Sequence, residues 1–264
     1  MTASRVALSI AGSDPSGGAG IQADLKVFHQ FGVYGEAVPT LITVQNSVRS
    51  SRVEVLGAEL VAEQIAAVLE DIPPDAAKTG ALGSAAIVRA VAKAARGFAF
   101  PLVVDPVLTG KHGLAFADGD TLSALRSELL PLATLLTPNL AEAEALTGFG
   151  IATPEEMRLA ARELIRLGAR AVLIKGGHLA GEPVDIGFDG VSFREFAGVR
   201  IVTRHTHGTG CTYSAAITAG LARGLPLWEA VAAARRFVEE AIRTNPGFGR
   251  GNGPLNHHAD GGLK

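Results

Sequence analysis

Residues 6–24 read VALSIAGSDPSGGAGIQAD: an apolar strand-like run at 6–10, a loop of small and turn-forming residues, and the approach to a helical pattern over 23–31. Strand, glycine loop and helix in that order form the opening unit of a parallel α/β sheet. The loop also carries two carboxylates, Asp14 and Asp24, where a phosphate-holding loop is expected to be basic. Gly18-Ala19-Gly20-Ile21-Gln22-Ala23 satisfies G-x-G-x-x-A, but it starts several residues after the strand rather than directly behind it, which argues against a dinucleotide-binding dehydrogenase. No Gly-Lys-Ser/Thr follows, so the Walker A pattern fails as well.

Outward from this unit, short β-rich runs at 38–44, 76–78, 102–105, 135–137 and 171–175 alternate with Ala/Leu-rich helical patterns. The latter fall at 58–70, 85–96, 120–130, 140–146, 154–167, 212–223 and 227–243. The alternation predicts an α/β fold, a mostly parallel central sheet with helices on both faces, in one domain spanning 1–264. Leu167-Gly168 supplies a helix stop. Asp189-Gly190 between apolar runs at 184–188 and 191–196 predicts a two-residue hairpin at a sheet edge. From about residue 245 the chain is rich in Gly, Pro and His and reads as an irregular tail with a disordered end.

Composition narrows the function. A 264-residue chain that is 47% hydrophobic can bury a large core. A net charge of -2, one Trp and two Tyr argue against nucleic acid as a partner. One cysteine, Cys211, excludes an internal disulfide and a multi-thiolate zinc site and fits the cytoplasm. No apolar run approaches the roughly 18 residues of a membrane span.

Polar signals gather at predicted strand ends. Thr206-His207-Gly208-Thr209-Gly210-Cys211-Thr212 precedes an apolar helix, and glycines opening a helix leave N–H groups free for an anion; a cap by Thr209 or Thr212 is the plain alternative. Asp105 ends one apolar run, at the sheet edge where open α/β folds bind ligands. Asn139 and Glu142 share a helical face after another, a candidate outer shell for hydrated magnesium. Lys175 ends a third and can reach phosphates. Together these are the parts that phosphoryl transfer needs.

The segments AGSDPSGGAGIQADLK, TVQNS, DPV, TPNLAEAEAL, VLIKGGH and THGTGCTYSAAI, from about residue 5 to GRGNGPLNH, resemble the hydroxymethylpyrimidine/phosphomethylpyrimidine kinases of thiamine biosynthesis. The resemblance implies a ribokinase-like three-layer sandwich. It also implies ATP- and Mg2+-dependent phosphorylation of 4-amino-5-hydroxymethyl-2-methylpyrimidine and then of its monophosphate. The opening loop would hold the pyrimidine, with Gln45 and Asp24 bonding ring nitrogens and the exocyclic amine, and Gly12 and Ala19 allowing close backbone approach. Asp24 has a second reading, as a helix anchor. Lys175 would lie near the β and γ phosphates, with Asn139, Glu142 and Gly210 also on the nucleotide side. Asp105 and Glu142 would belong to the magnesium shell, and Gly208-Thr209-Gly210 would form the anion hole. Cys211 would activate the substrate hydroxyl, its thiolate favoured by the helix start.

Where the family has K-I-G-M-L, this chain has Lys78-Thr79-Gly80-Ala81-Leu82. The smaller Ala81 enlarges the expected pocket and keeps a pyridoxal or pyridoxine kinase as the first alternative. A non-catalytic pyrimidine-binding protein is the second, and a homo-oligomer is compatible with either. Among the histidines, His207 is expected to orient the anion loop or touch phosphate, His205 to be peripheral, His29 structural, and His257-His258 to lie in a solvated tail.

Overall fold

Alternate residues of each strand belong to different cores, and this period-two division sets the architecture. The computed structural model describes residues 5–110, 113–179 and 181–260. Leu8 and Ile10 of β1 (Val6–Ser13), Ala77 of β4 (Ala76–Thr79), Val104 of β5 (Leu102–Val104), Leu136 of β6 (Leu135–Leu136) and Ile174 of β7 (Val172–Ile174) face one layer. That layer contains α2 (Ala58–Asp71), α3 (Ala85–Ala95), α4 (Gly119–Ala124), α5 (Leu140–Thr147) and α6 (Pro154–Arg166). Ala7, Ala76, Val103, Leu135 and Leu173 face the other, built from α1 (Gly20–Gln30), α7 (Thr209–Ala222) and α8 (Leu227–Arg243). The result is a three-layer α/β sandwich, as the alternating pattern predicts.

The sheet has nine strands in the order β3-β2-β1-β4-β5-β6-β7-β8-β9, where β2 is Tyr34–Gln45, β3 Ser50–Val55, β8 Val184–Phe188 and β9 Phe193–Ala197. Pairing is parallel from β2 through β7 and antiparallel for β2–β3, β7–β8 and β8–β9. The chain winds to β2 on one side of β1 and to β4 on the other, which opens a crevice beyond the carboxyl ends of these strands. No helix among the described residues is long and apolar enough to cross a membrane.

Four local expectations change. β3 is absent from the sequence reading because Ser50–Val55 is largely exposed and polar, without an apolar face to reveal it. The β8–β9 hairpin sits at an edge, but Phe188 pairs with Phe193, so the loop has four residues instead of two. Asp189 Oδ1 accepts from the N–H groups of Val191 and Ser192 and holds this wider turn. The helix expected over 120–130 ends as α4 and continues as a π turn at Leu125–Leu129 before Pro131, which has no N–H to extend it. Residues 245–260 are irregular but docked: Leu255, His257 and Ala259 are buried, and Asn256 N–H bonds Ala241 O of α8 at 3.0 Å. The expected disordered end, 261–264, lies outside the described residues.

Candidate active site

At the carboxyl edge of the parallel strands lies a cavity of about 540 Å³, lined at one end by Gly12, Ala19 and Gln45 and at the other by Asp105, Glu142 and Lys175. Lys175 follows β7 directly and is pinned there by its backbone. Its N–H bonds Pro138 O at 2.9 Å, and the next N–H, of Gly176, bonds Asp185 Oδ1 at 2.9 Å. A Cβ at Gly176 would collide with Val184 O, so this strand end requires a glycine. The Lys175 ammonium lies 2.8 Å from Asp105 Oδ1, and Thr137 and Ser214 also donate to that carboxylate. Burial works against the Lys175 charge, but Asp105 and Glu142 hold its pKa above the ordinary value. Burial also opposes charge on Asp105, where Lys175 and Lys78 win and hold it below the usual range.

The first turn of α7 completes this end. Gly208, its N-cap, has φ +83°, and a Cβ there would strike Gly18 O. An ideal Cβ on Gly210 would lie 3.3 Å from Lys175 Nζ, so the helix start and the ammonium face the same space. No side chain caps α7. The Thr209 hydroxyl donates to Thr206 O instead, and the Thr212 hydroxyl is bonded to His257, which removes the capping alternative. Uncapped N–H groups beside a lysine make an anion cradle.

The glycine loop itself holds no phosphate, because its N–H groups already serve an anion of the chain. Buried Asp14 accepts from the N–H groups of Ser16 at 2.8 Å, Gly18 at 3.2 Å and Ala19 at 2.9 Å. Gln45, at the end of β2, also bonds this carboxylate and lines the cavity. An ionised carboxylate can only accept, so the Gln45 amide nitrogen turns to Asp14 and its carbonyl oxygen is left for a ligand. This use of the N–H groups is the physical reason that the apparent G-x-G-x-x-A is no dinucleotide fingerprint.

Residues 14–256 match the phosphomethylpyrimidine kinase family. The chain belongs to that family. It is 51% identical over 252 residues to the thiamine biosynthesis bifunctional protein of Geobacter sulfurreducens, covering 95% of this chain but about half, 51%, of that protein. It is 49% identical over 256 residues to the hydroxymethylpyrimidine/phosphomethylpyrimidine kinase of Rhizobium meliloti, covering 96% of each. Its fold is similar to an ADP complex of Bacillus subtilis pyridoxal kinase at TM-score 0.90 and 39% identity, covering 97% of this chain and 98% of that one. The fold is thus the ribokinase-like sandwich that the motifs imply, and the protein is a kinase.

Within this family member, three expected roles change. Asp24 does not line the cavity: it is fully buried under α1, 2.8 Å from the ammonium of equally buried Lys78, and accepts from Ser9 Oγ at 2.6 Å. It anchors α1 to β1 and β4, which is the second of its two readings. Asn139 is spent on a capping box, its Oδ1 accepting from Glu142 N and its own N–H donating to Glu142 Oε2, so it orients Glu142 instead of joining an ion's outer shell. Burial pushes Glu142 up to about 7, with Lys175 opposing and Asp105 adding to the rise. Cys211 lines the cavity, but the expected thiolate is not favoured. Burial pushes it up to about 11; Lys78 and the Gly20 N–H pull the other way and lose.

The histidines divide differently too. His257 is buried against Thr212, not solvated, whereas His29 faces solvent on α1. His207 orients the anion loop by bonding Asp14. The sequence reading misses Asp14, Asp185 and Arg235; the last two pair at 2.7 Å on the cavity wall. They come from β8 and α8, fifty positions apart, with no shared motif.

Proposed function

We propose that this kinase transfers the γ-phosphoryl group of ATP to the hydroxymethyl oxygen of 4-amino-5-hydroxymethyl-2-methylpyrimidine, and then phosphorylates the monophosphate to the diphosphate, in thiamine biosynthesis. The reading rests on the two ends of one cavity: a neutral amide and a glycine loop at one, an ammonium and an uncapped helix start at the other. The free Gln45 carbonyl suits an exocyclic amine, and Gly12 and Ala19 let backbone approach a flat ring. Val199, Ile201, Val238 and Ile242 supply apolar walls for the nucleotide base. The ADP complex of the Bacillus subtilis neighbour supports a nucleotide in this position.

Magnesium fits the donors present. Asp105 and Glu142 are two carboxylates beside Lys175, and Mg2+ is ordinarily held by one or two carboxylates with phosphate oxygens and water. Among the described residues no cluster of three or more His, Cys, Asp or Glu could hold a metal alone, as expected for that mode. When bound, the ion would offset charge on the bridging phosphate oxygens. Lys175 and the N–H groups of α7 hold the oxygens of the migrating group, which gain charge in the transition state. Cys211 meets the attacking hydroxyl as a thiol. In a loose transition state the attacking oxygen loses its proton late, so a preformed thiolate is not required.

A second reading, phosphorylation of pyridoxal, is favoured by Ala81 in the cavity wall and by the pyridoxal kinase neighbour. ATP consumption measured side by side with the pyrimidine, its monophosphate and pyridoxal separates the two. The expected order is pyrimidine and monophosphate well ahead of pyridoxal; the reverse order overturns the proposal.

A further inference from the structure

We propose that Asp14 and His207 are positioning residues that lock the pyrimidine loop to the phosphate cradle, so that a ring seated on one presents its hydroxymethyl oxygen to the other. This inference rests on the pyrimidine reading above. His207 Nε2 lies 2.8 Å from Asp14 Oδ2, with both side chains buried. The carboxylate has no proton to give, so the imidazole proton is on Nε2 and the bond is charge-assisted. Burial opposes the Asp14 charge, yet the bonds from His207, Gln45 and Ser16 hold it well below the usual carboxylate range. The link therefore persists across the working pH of the site.

Its position gives the link its consequence. On one side, Asp14 gathers Ser16, Gly18, Ala19 and Gln45, which shape the pyrimidine end. On the other, His207 immediately precedes Gly208, the N-cap of α7, and its own N–H is tied to Gly253 O at 3.1 Å. The loops also touch directly, since an ideal Cβ on Gly18 would lie 2.7 Å from His207 Cδ2. The acceptor oxygen and the cradle are thus set relative to each other by one bond between residues 193 positions apart. Displacing reacting groups by about 1 Å can cost roughly a hundredfold in rate, whereas binding at each end depends on contacts that this bond does not make.

The test compares His207→Ala, His207→Gln and Asp14→Asn in steady-state kinetics, with ADP and phosphorylated pyrimidine counted separately. His207→Ala is expected to lose roughly ten- to a hundredfold in kcat, with KM for ATP and for pyrimidine within about threefold of wild type, and to release ADP in excess of phosphorylated product. His207→Gln, whose amide can donate to Asp14, should restore most of kcat and the one-to-one product ratio. Asp14→Asn should lower kcat and also raise pyrimidine KM, because Gln45 loses its acceptor. A kcat for His207→Ala within about twofold of wild type, no rescue by Gln, or a loss confined to KM would overturn the positioning role. Failure of both His207 variants to fold would assign the pair to stability and overturn it equally. A wild-type chain inert toward the pyrimidine would overturn the functional reading and this inference together.

Discussion

Lys175 is the residue whose surroundings best match its expected task. Held charged by Asp105 and Glu142 against the first turn of α7, it stabilises charge that grows only as the phosphoryl group migrates. Lys175→Met should therefore lower kcat by roughly 10²–10³-fold with a much smaller change in KM for ATP, measured at saturating pyrimidine. Wild-type turnover would show the lysine to be a bystander. Cys211 makes the contrasting case. With its thiol pushed up to about 11, alkylation by iodoacetamide at pH 7.5 should be far slower than for an unperturbed thiol and should speed up steeply toward pH 10. Fast alkylation at neutral pH would contradict a resting thiol. Lys175 and Gln45 were legible because each sits in a short motif ending a strand. The state of Cys211 was not, because a helix start favours the thiolate locally while burial beside Asp24 and Asp105 acts through the fold.

At the scale of elements, the Asp24–Lys78 pair fastens α1 to the centre of the sheet with both side chains fully buried. Removing one partner leaves the other charge without compensation. Lys78→Met should cost about 3–5 kcal/mol of unfolding free energy in urea titration, and Asp24→Leu combined with Lys78→Met should recover a good part of it. If the double variant is as unstable as the sum of the singles, the pair contributes no coupling. The capping boxes of α5 and α6 and the glycine stop after α6 could be read from local spacing. The starts of α1 and α7 could not. Each begins three residues before the expected position, because a glycine opens the helix where propensity alone disfavours one.

On the scale of the whole molecule, the carboxyl-terminal segment closes the structure against α7 through His257. Burial lowers this imidazole from 6.5 to about 4, so it stays neutral in the folded chain while the unfolded chain takes up a proton. Its share of stability is complete above pH 6.5 and is lost as pH falls toward 4, on the order of 2 kcal/mol. Glu36 and Glu142, each pushed up to about 7 by burial, tilt the other way: their share is present below about pH 4.5 and is lost as pH rises through 7. The measurable quantity is thus the stability difference between wild type and His257→Asn, from urea titrations at several pH values. It should shift against wild type between pH 7 and pH 4.5; a constant difference would mean that His257 is not buried neutral.

By itself the sequence determined the layered α/β fold, because apolar periods of two and 3.6 are local properties, and it determined the family, because six motifs occur in order. It also placed Gln45, Lys175, Asp105, Glu142 and Gly208–Gly210 as candidates, since each marks a strand end or a helix start. Only the tertiary structure decided that Asp24 leaves the site for Lys78, that Cys211 keeps its proton, that the tail is packed, and that Asp14 meets His207. Those outcomes depend on burial and on partners brought together by the sheet from distant positions, and neither quantity is a property of any single stretch of chain.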